Sequence, residues 1–309
     1  MKKISVVTPC FNEEQNVELL YGAIKEIFRK LGAYEYEHLF IDNASTDGTQ
    51  PILRRLAAAD KGVKVILNTR NFGHIRSPYY AYTQAYGDAV ITLAADFQDP
   101  PELIEEFLRR WEAGAKVVLG VKTNSGESGL MFAVRKFYYY LIDGVAEVKI
   151  TKNNTGFGLY DRKVIDELRK LDEPYPFFRG LVSELGFETA RVDYFQPERK
   201  RGLTKNNFYT LYDIGMLGII NHSKVPLRMA VFAGFLLAAL NLAVALGYFI
   251  YKLVFWNSFS VGIAPVVIGL FFFSSVQLIF LGVLGEYIGA IYTQTLRRPL
   301  VIEKERINL

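Results

Sequence analysis

Cysteine is nearly absent: Cys10 is the sole one among 309 residues. A framework of internal disulfides is thereby excluded, and such usage fits a reducing compartment. Charged residues are also sparse, 22% of the chain against 50% hydrophobic, a balance that leans toward a membrane. The net charge of +4 is too small on its own to imply a nucleic-acid partner. No secretory leader is expected. Lys2 and Lys3 supply positive charge, but the apolar run after them is short, and Asn12-Glu13-Glu14 follows directly. The first domain is therefore expected to stay in the cytoplasm. Neither a low-complexity segment nor an internal repeat breaks the chain.

What the chain does hold is an alternation. Short apolar runs at 4–8, 38–41, 63–67, 89–93 and 116–120 have the length and composition of buried strands. Between them lie segments of helical periodicity at 15–31, 50–59, 77–86 and 102–113, with a further helix at 162–170 and a late strand at 187–194. This pattern predicts an α/β domain over 1–206 with a mostly parallel, Rossmann-like sheet. Right-handed crossovers gather the polar strand ends on one edge, which is where chemistry sits in such sheets. An aromatic helix is expected at 132–145, and its stripe reads as core packing.

After residue 206 the character changes. Apolar positions at Phe208, Leu211, Ile214, Leu217 and Ile220 form a stripe suited to the membrane interface, giving a juxtamembrane helix over 207–225. Two apolar runs, 229–255 and 261–288, are each long enough to cross a bilayer, which takes roughly 20 residues. They place two transmembrane helices within 226–291. The turn between them lacks Lys and Arg, whereas Lys224, Arg228, Arg297, Arg298, Lys304 and Arg306 flank the pair. Positive residues mark the inner side, so both termini and the catalytic domain are expected in the cytoplasm, with 292–309 as a tail. Small residues such as Gly234, Ala238 and Ala239 permit close helix packing, and a homo-oligomer is expected.

The stretch Asp96-Phe97-Gln98-Asp99-Pro100-Pro101-Glu102 follows a strand and opens a helix. Its oxygen ligands suit Mg2+ or Mn2+, though an acidic helix cap has the same spacing. A basic loop, Arg199-Lys200-Arg201-Gly202-Leu203-Thr204-Lys205, precedes the apolar half and reads as a solvated charge run, a lipid-headgroup contact or a phosphate site.

Four segments together carry a resemblance: Val6-Val7-Thr8-Pro9-Cys10-Phe11-Asn12-Glu13-Glu14, Ile41-Asp42-Asn43-Ala44-Ser45-Thr46-Asp47-Gly48-Thr49, Arg70-Asn71-Phe72-Gly73-His74, and the acidic stretch at 96–102. With the membrane tail, they resemble the polyprenyl-phosphate members of the family-2 glycosyltransferases, namely dolichyl-phosphate mannose synthases and bactoprenol glucosyltransferases. The resemblance implies a GT-A fold and inverting transfer of a hexose to a polyprenyl phosphate lipid. It implies a nucleotide sugar donor, with glucose from UDP-glucose first and mannose from GDP-mannose as the alternative. It also implies a place in the plasma (inner) membrane. By position, Pro9, Asn12, Glu13, Asp42, Arg70 and Asp96 would bind the nucleotide, and Asp96 and Gln98 the metal. Lys122, Ser128, Arg135, Arg199, Arg201 and Lys205 would meet the acceptor phosphate, and Asp161 would lie near the donor sugar. Asp96, Asp161, Arg199 and Lys205 form the expected catalytic set. The acceptor phosphate is largely ionised at pH 7, its second pKa being about 6, so attack on the anomeric carbon needs no obligatory general base.

The chain departs from the family pattern at Ala94, where an Asp is usual, and at Asn43-Ala44, where Asp-Gly is common. The first departure predicts weakened metal binding and low activity. Three rivals remain: a processive polysaccharide synthase, which lacks support because no Gln-x-x-Arg-Trp motif is present; a non-catalytic membrane scaffold; and a transporter subunit built on Gln277 and Glu286.

Overall fold

A computed structural model of the chain describes residues 1–123, 151, 153–197, 225–255 and 263–309. The loop expected at 124–129, the aromatic helix at 132–145, the basic loop at 199–205, all but the last residue of the juxtamembrane helix, and the turn at 256–260 lie outside the described residues. Eight strands form one sheet: β1 Lys2–Cys10, β2 Tyr34–Asp42, β3 Val63–Asn68, β4 Ala89–Thr92, β5 Val117–Lys122, β6 Asn154–Asp161, β7 Thr189–Tyr194 and β8 Glu303–Ile307. Their spatial order is β7-β5-β6-β4-β1-β2-β3-β8. β1 pairs in parallel with β2 and β4, β2 with β3, and β5 with β7. β6 runs antiparallel between β4 and β5, and β8 antiparallel beside β3. The sheet is thus mostly parallel with two reversed strands.

Helices α1 Val17–Leu31, α2 Thr49–Ala59 and α4 Leu103–Glu112 cover one face; α3 Gly73–Gln84, α5 Arg162–Lys170 and α6 Phe178–Glu184 cover the other. Two-sided burial explains why the central strands are continuous apolar runs. Ile4 and Val6 pack with Leu20, Ile24, Phe107 and Trp111 on the first face. Val7, Leu39 and Ile41 pack with Tyr79, Tyr160 and Ile165 on the second. α1 buries Val17, Leu20, Ile24 and Phe28 at helical spacing and stops where Gly32, at φ +57°, returns its N–H to the Phe28 carbonyl. Between β5 and β6 the backbones come so close that a Cβ on Gly158 would lie 2.3 Å from the Val118 carbonyl oxygen.

Within the segment expected as a tail, 292–309, β8 completes the sheet. β8 pairs with β3, Thr69 donates its backbone N–H to Ile302 (2.9 Å), and Arg54 pairs with Glu305 (2.5 Å). Tyr80 donates to Glu303 (2.8 Å), and Asn308 donates to the carbonyls of Ala57 and Val63. The catalytic sheet therefore draws on residues well beyond 1–206.

Two long helices precede β8: α7 Val225–Val254 and α8 Ile263–Thr295. Within α8, the 24 residues Phe272–Thr295 have a mean hydropathy of 1.5, and the helix is long and apolar enough to cross a membrane. α7 holds a shorter apolar stretch, Met229–Asn241. Phe232 and Phe235 on α7 and Leu278 and Ile279 on α8 are all about two-thirds or more exposed.

Two ionisable groups are buried in β2. Burial opposes the Glu37 carboxylate, but Lys3, Lys64 (2.9 Å) and the Ser5 hydroxyl (2.7 Å) hold its pKa down to about 2. His38 is fully buried beside Thr8 Oγ1 (2.9 Å), and burial pulls it down to about 3 from an ordinary 6.5. Between those two values the unfolded chain binds the extra proton, so stability rises with pH there. Glu37 acts in the same sense lower down: its contribution is full above its unfolded value of 4.5 and is lost as pH falls toward 2. Taken as the difference from His38→Gln titrated by the same measurement, the urea midpoint is expected to fall as pH drops from 6.5 toward 3.

Candidate functional site

The strands that share one direction deliver their carboxyl ends to a single cavity of about 710 Å³. β1 contributes Pro9, Asn12 and Glu13. Asn12 adopts φ +59°, a left-handed conformation that Asn tolerates better than most residues. There its N–H donates to Ser45 Oγ (2.8 Å) while its Oδ1 accepts from Thr46 N–H (2.8 Å), tying the loop after β1 to the loop after β2. Glu13 adds a backbone bond to Thr49 Oγ1 (2.9 Å), and its side chain accepts from Asn16 (2.7 Å).

At the end of β2, Asp42 is fully buried. Its Oδ2 accepts from Ser45 N–H (3.0 Å) and Gln50 Nε2 (2.7 Å), while Oδ1 is buried with no partner among the described residues. Asp42 lies beneath the cavity wall rather than on it; Asn43 lines the cavity. Arg70 stands outside, with its guanidinium 4.0 Å from the centre of the Phe72 ring. From that segment Asn71, Gly73 and His74 are the residues that line the cavity, followed by Ser77 and Pro78 of α3.

Past β4, Ala94, Asp96, Gln98 and Asp99 line the opposite wall. Phe97 between them sits at φ +59°, which is unusual for a bulky side chain. The chain folds back on itself here. Ala94 N–H donates to Asp99 Oδ2 (3.3 Å), Gln98 N–H to Asp96 Oδ1 (3.1 Å), and Tyr194 OH to Asp99 Oδ1 (3.1 Å). Burial pushes the Asp99 carboxyl up to about 6, and the neighbouring Asp96 charge adds to the rise. The wall therefore carries two carboxylates and an amide oxygen despite Ala94. Among the described residues no three His, Cys, Asp or Glu side chains are gathered about one point. An all-oxygen set of this kind fits Mg2+ or Mn2+, which keep several ligand positions for water and phosphate.

Of the expected acceptor-phosphate residues, Lys122 lines the cavity, joined by Gln196 and by Thr155 and Gly156 of β6. Ser128, Arg135, Arg199, Arg201 and Lys205 lie outside the described residues. Asp161 requires a correction. β6 runs antiparallel to β4, so Gly158 faces Thr92 near the cavity and Asp161 faces Ala89 at the far end. Its Oδ2 accepts from Trp111 Nε1 (2.8 Å) and Lys116 Nζ (3.0 Å), and its Oδ1 caps α5 through Lys163 N–H (3.0 Å). Burial raises its pKa, but these donors outweigh it and the net shift is downward. Asp161 braces α4, β5 and α5, away from any sugar.

Several lining residues escaped the sequence reading. Asn43, His74 and Asp99 fall inside the quoted segments, where a signal existed. Tyr82, Thr155 and Gln196 come from segments that only the fold brings together, and nothing in their local sequence marks them. Asp161→Asn is expected to cost about 1–2 kcal/mol of stability through a lost charge-assisted cap, while nucleotide affinity stays within twofold of the parent. Chemical denaturation and nucleotide titration together check this.

The loops on this cavity fall largely within a matched segment: residues 5–169 fit the profile of glycosyl transferase family 2. Among characterised and catalogued proteins, the chain is 36% identical over 306 residues to the uncharacterized glycosyltransferase YkcC of Bacillus subtilis, spanning 99% of this chain and 94% of that one. It is 35% identical over 305 residues to the bactoprenol glucosyl transferase of Shigella phage SfX, spanning 98% and 99%. Among solved structures, glucosyl-3-phosphoglycerate synthase from Mycobacterium tuberculosis, crystallised with Mn2+, UDP and phosphoglyceric acid, aligns with a TM-score of 0.49. Its identity is 17%, over 71% of this chain and 76% of that chain. By the extent of the matched profile and of its relatives, this chain belongs to glycosyl transferase family 2.

Proposed function

We propose that the protein transfers glucose from UDP-glucose, with inversion, to a polyprenyl phosphate at a membrane surface, yielding a polyprenyl-phosphate sugar. The observation that carries the reading is the cavity, which faces a nucleotide-sized set of loops from β1, β2 and β3 against oxygen ligands from the end of β4. The sugar and the lipid follow from the bactoprenol glucosyl transferases, which this chain matches along nearly its full length. Anchorage through α8, with α7 as a second crossing, places the domain where a lipid acceptor arrives. The same reading keeps both termini on the cytoplasmic face and makes the protein a homo-oligomer through the small residues of α7.

In this reading the buried Asp42 holds the loop after β2 in place through Ser45 and Gln50. Asn12 and Glu13 shape the floor beneath the nucleotide. Asp96 and Gln98, with Asp99 beside them, would hold a divalent ion. When bound, that ion neutralises charge on the departing nucleoside diphosphate. Lys122 offers a cation at the mouth of the cavity, suited to one end of a phosphate. The acceptor oxygen attacks the anomeric carbon as the bond to the diphosphate breaks. That oxygen is already ionised near neutral pH, so no side chain need take its proton, and positioning supplies the rate. Asp161, at the far end of β6, is not placed to serve as such a base.

Full-length protein incubated with undecaprenyl phosphate and either UDP-[14C]glucose or GDP-[14C]mannose is expected to carry label from the glucose donor alone into the lipid extract. Label from the mannose donor only, or from neither, overturns the reading. A second expectation concerns the ion. Asp96→Asn weakens Mn2+ binding, read by electron paramagnetic resonance in the presence of UDP, by at least about tenfold. Asp99→Asn weakens it less, and Ala94→Asp strengthens it.

A further inference from the structure

Asn43 lines the cavity and is only 7% exposed. Its backbone N–H and both polar atoms of its side chain are engaged. Its backbone N–H donates to the Cys10 carbonyl (2.9 Å), tying it to the end of β1. Its side-chain Nδ2 donates twice, to Asn71 Oδ1 (2.8 Å) and to the Gly73 carbonyl (3.1 Å). Its Oδ1 accepts twice, from Phe72 N–H (2.8 Å) and from Asn68 Nδ2 (3.2 Å). Asn68 passes the linkage on to Ser77 Oγ of α3 (3.0 Å), and Asn71 Oδ1 also accepts from Gly73 N–H (2.8 Å). One amide therefore joins β1, β2, the loop after β3 and the first turn of α3.

The chemistry of that hub is directional. A primary amide offers two donors on one side and two acceptor positions on the other. The two groups facing Nδ2 are both acceptors, and the two facing Oδ1 are both donors. A carboxylate of the same shape would satisfy the donors but turn an oxygen toward Asn71 Oδ1 and the Gly73 carbonyl. Acceptors facing one another without a proton repel, and Asn43 meets them from the buried side, although Asn71 itself is exposed. The wall they belong to carries Asn71, Gly73 and His74 into the cavity.

We infer that Asn43 is a positioning residue for the donor nucleotide: its amide, and not a carboxylate, fixes the segment from Asn71 to His74 in the place where it walls the nucleotide subsite. The inference rests on the proposed nucleotide-sugar reading and deepens it. It makes this chain's Asn at 43 and Asn at 71 a matched pair.

The test measures UDP affinity by isothermal titration in the full-length parent, Asn43→Asp, Asn71→Ala and the double variant, with melting temperature recorded for each. Asn43→Asp is expected to weaken UDP binding by about thirtyfold, since a misplaced wall loses several contacts at once. Asn71→Ala alone weakens it about fivefold by removing one partner. In the double variant the facing oxygen at position 71 is gone, so affinity is at least fivefold better than in Asn43→Asp alone. A role in stability only would lower the melting temperature and leave affinity of the folded fraction unchanged. Should Asn43→Asp not fold, Asn71→Ala still reports through its own affinity. Affinity within threefold of the parent in both single variants, or a double variant no better than Asn43→Asp, overturns the inference. A parent that binds no UDP overturns the donor reading instead.

Discussion

Covering both faces of a sheet with helices leaves its strand ends as the place where polar loops can gather without burying unpaired groups. That constraint governs this molecule. β1, β2, β3 and β4 bury most of their side chains, and each releases its chain at the same edge into a loop that carries polar side chains. These loops are tied to one another and folded back on themselves by hydrogen bonds. Asn12 bridges to Ser45 and Thr46, Asn43 to Asn71 and Gly73, and Asp99 to Ala94 and Tyr194. Preorganisation of this kind places a family-2 transferase's ligand groups before any substrate arrives. The left-handed conformations at Asn12, Ala44 and Phe97 all fall on this edge, where backbone strain of about 1–3 kcal/mol each is characteristically stored.

The sequence was most informative where chemistry and strand end coincide. Asn12, Glu13, Asp96 and Gln98 follow apolar runs directly, so a periodicity argument placed them on the correct edge. Asp161 follows an apolar run in the same way, yet it sits at the opposite edge. The difference is strand direction, which local composition does not encode: β6 enters the sheet reversed, so its beginning rather than its end meets the cavity. β8 was illegible for another reason. Glu303, Lys304, Glu305 and Arg306 form a charged edge strand with only Ile307 to pack inward, and nothing in that pattern alternates between apolar and polar. Ala94 shows the limit of reading a motif position by position. Ala94 supplies no carboxylate, and the turn at Phe97 brings Asp99 from further along the chain to the Ala94 amide.

The amide-rich edge also bears on how this chain differs within its family. Hydrogen bonds among Asn43, Asn68 and Asn71 are directional, so they act as a set. Substituting one without the others sets donor against donor or acceptor against acceptor at the buried Asn43 and Asn68. Departures from a family pattern at such positions are better judged in groups than singly.

The position of β8 has a consequence for how the molecule is made. Its partner strand, β3, ends at Asn68, and more than 230 residues, including both long apolar helices, separate it from Glu303. During synthesis the outer edge of β3 stays open until β8 has left the ribosome. A nascent chain in which α7 and α8 already have their final surroundings must then bring its end back to a sheet formed long before. Maturation of the catalytic sheet is thus chained to the fate of the apolar helices, and a chain that fails to place them also fails to seal its edge.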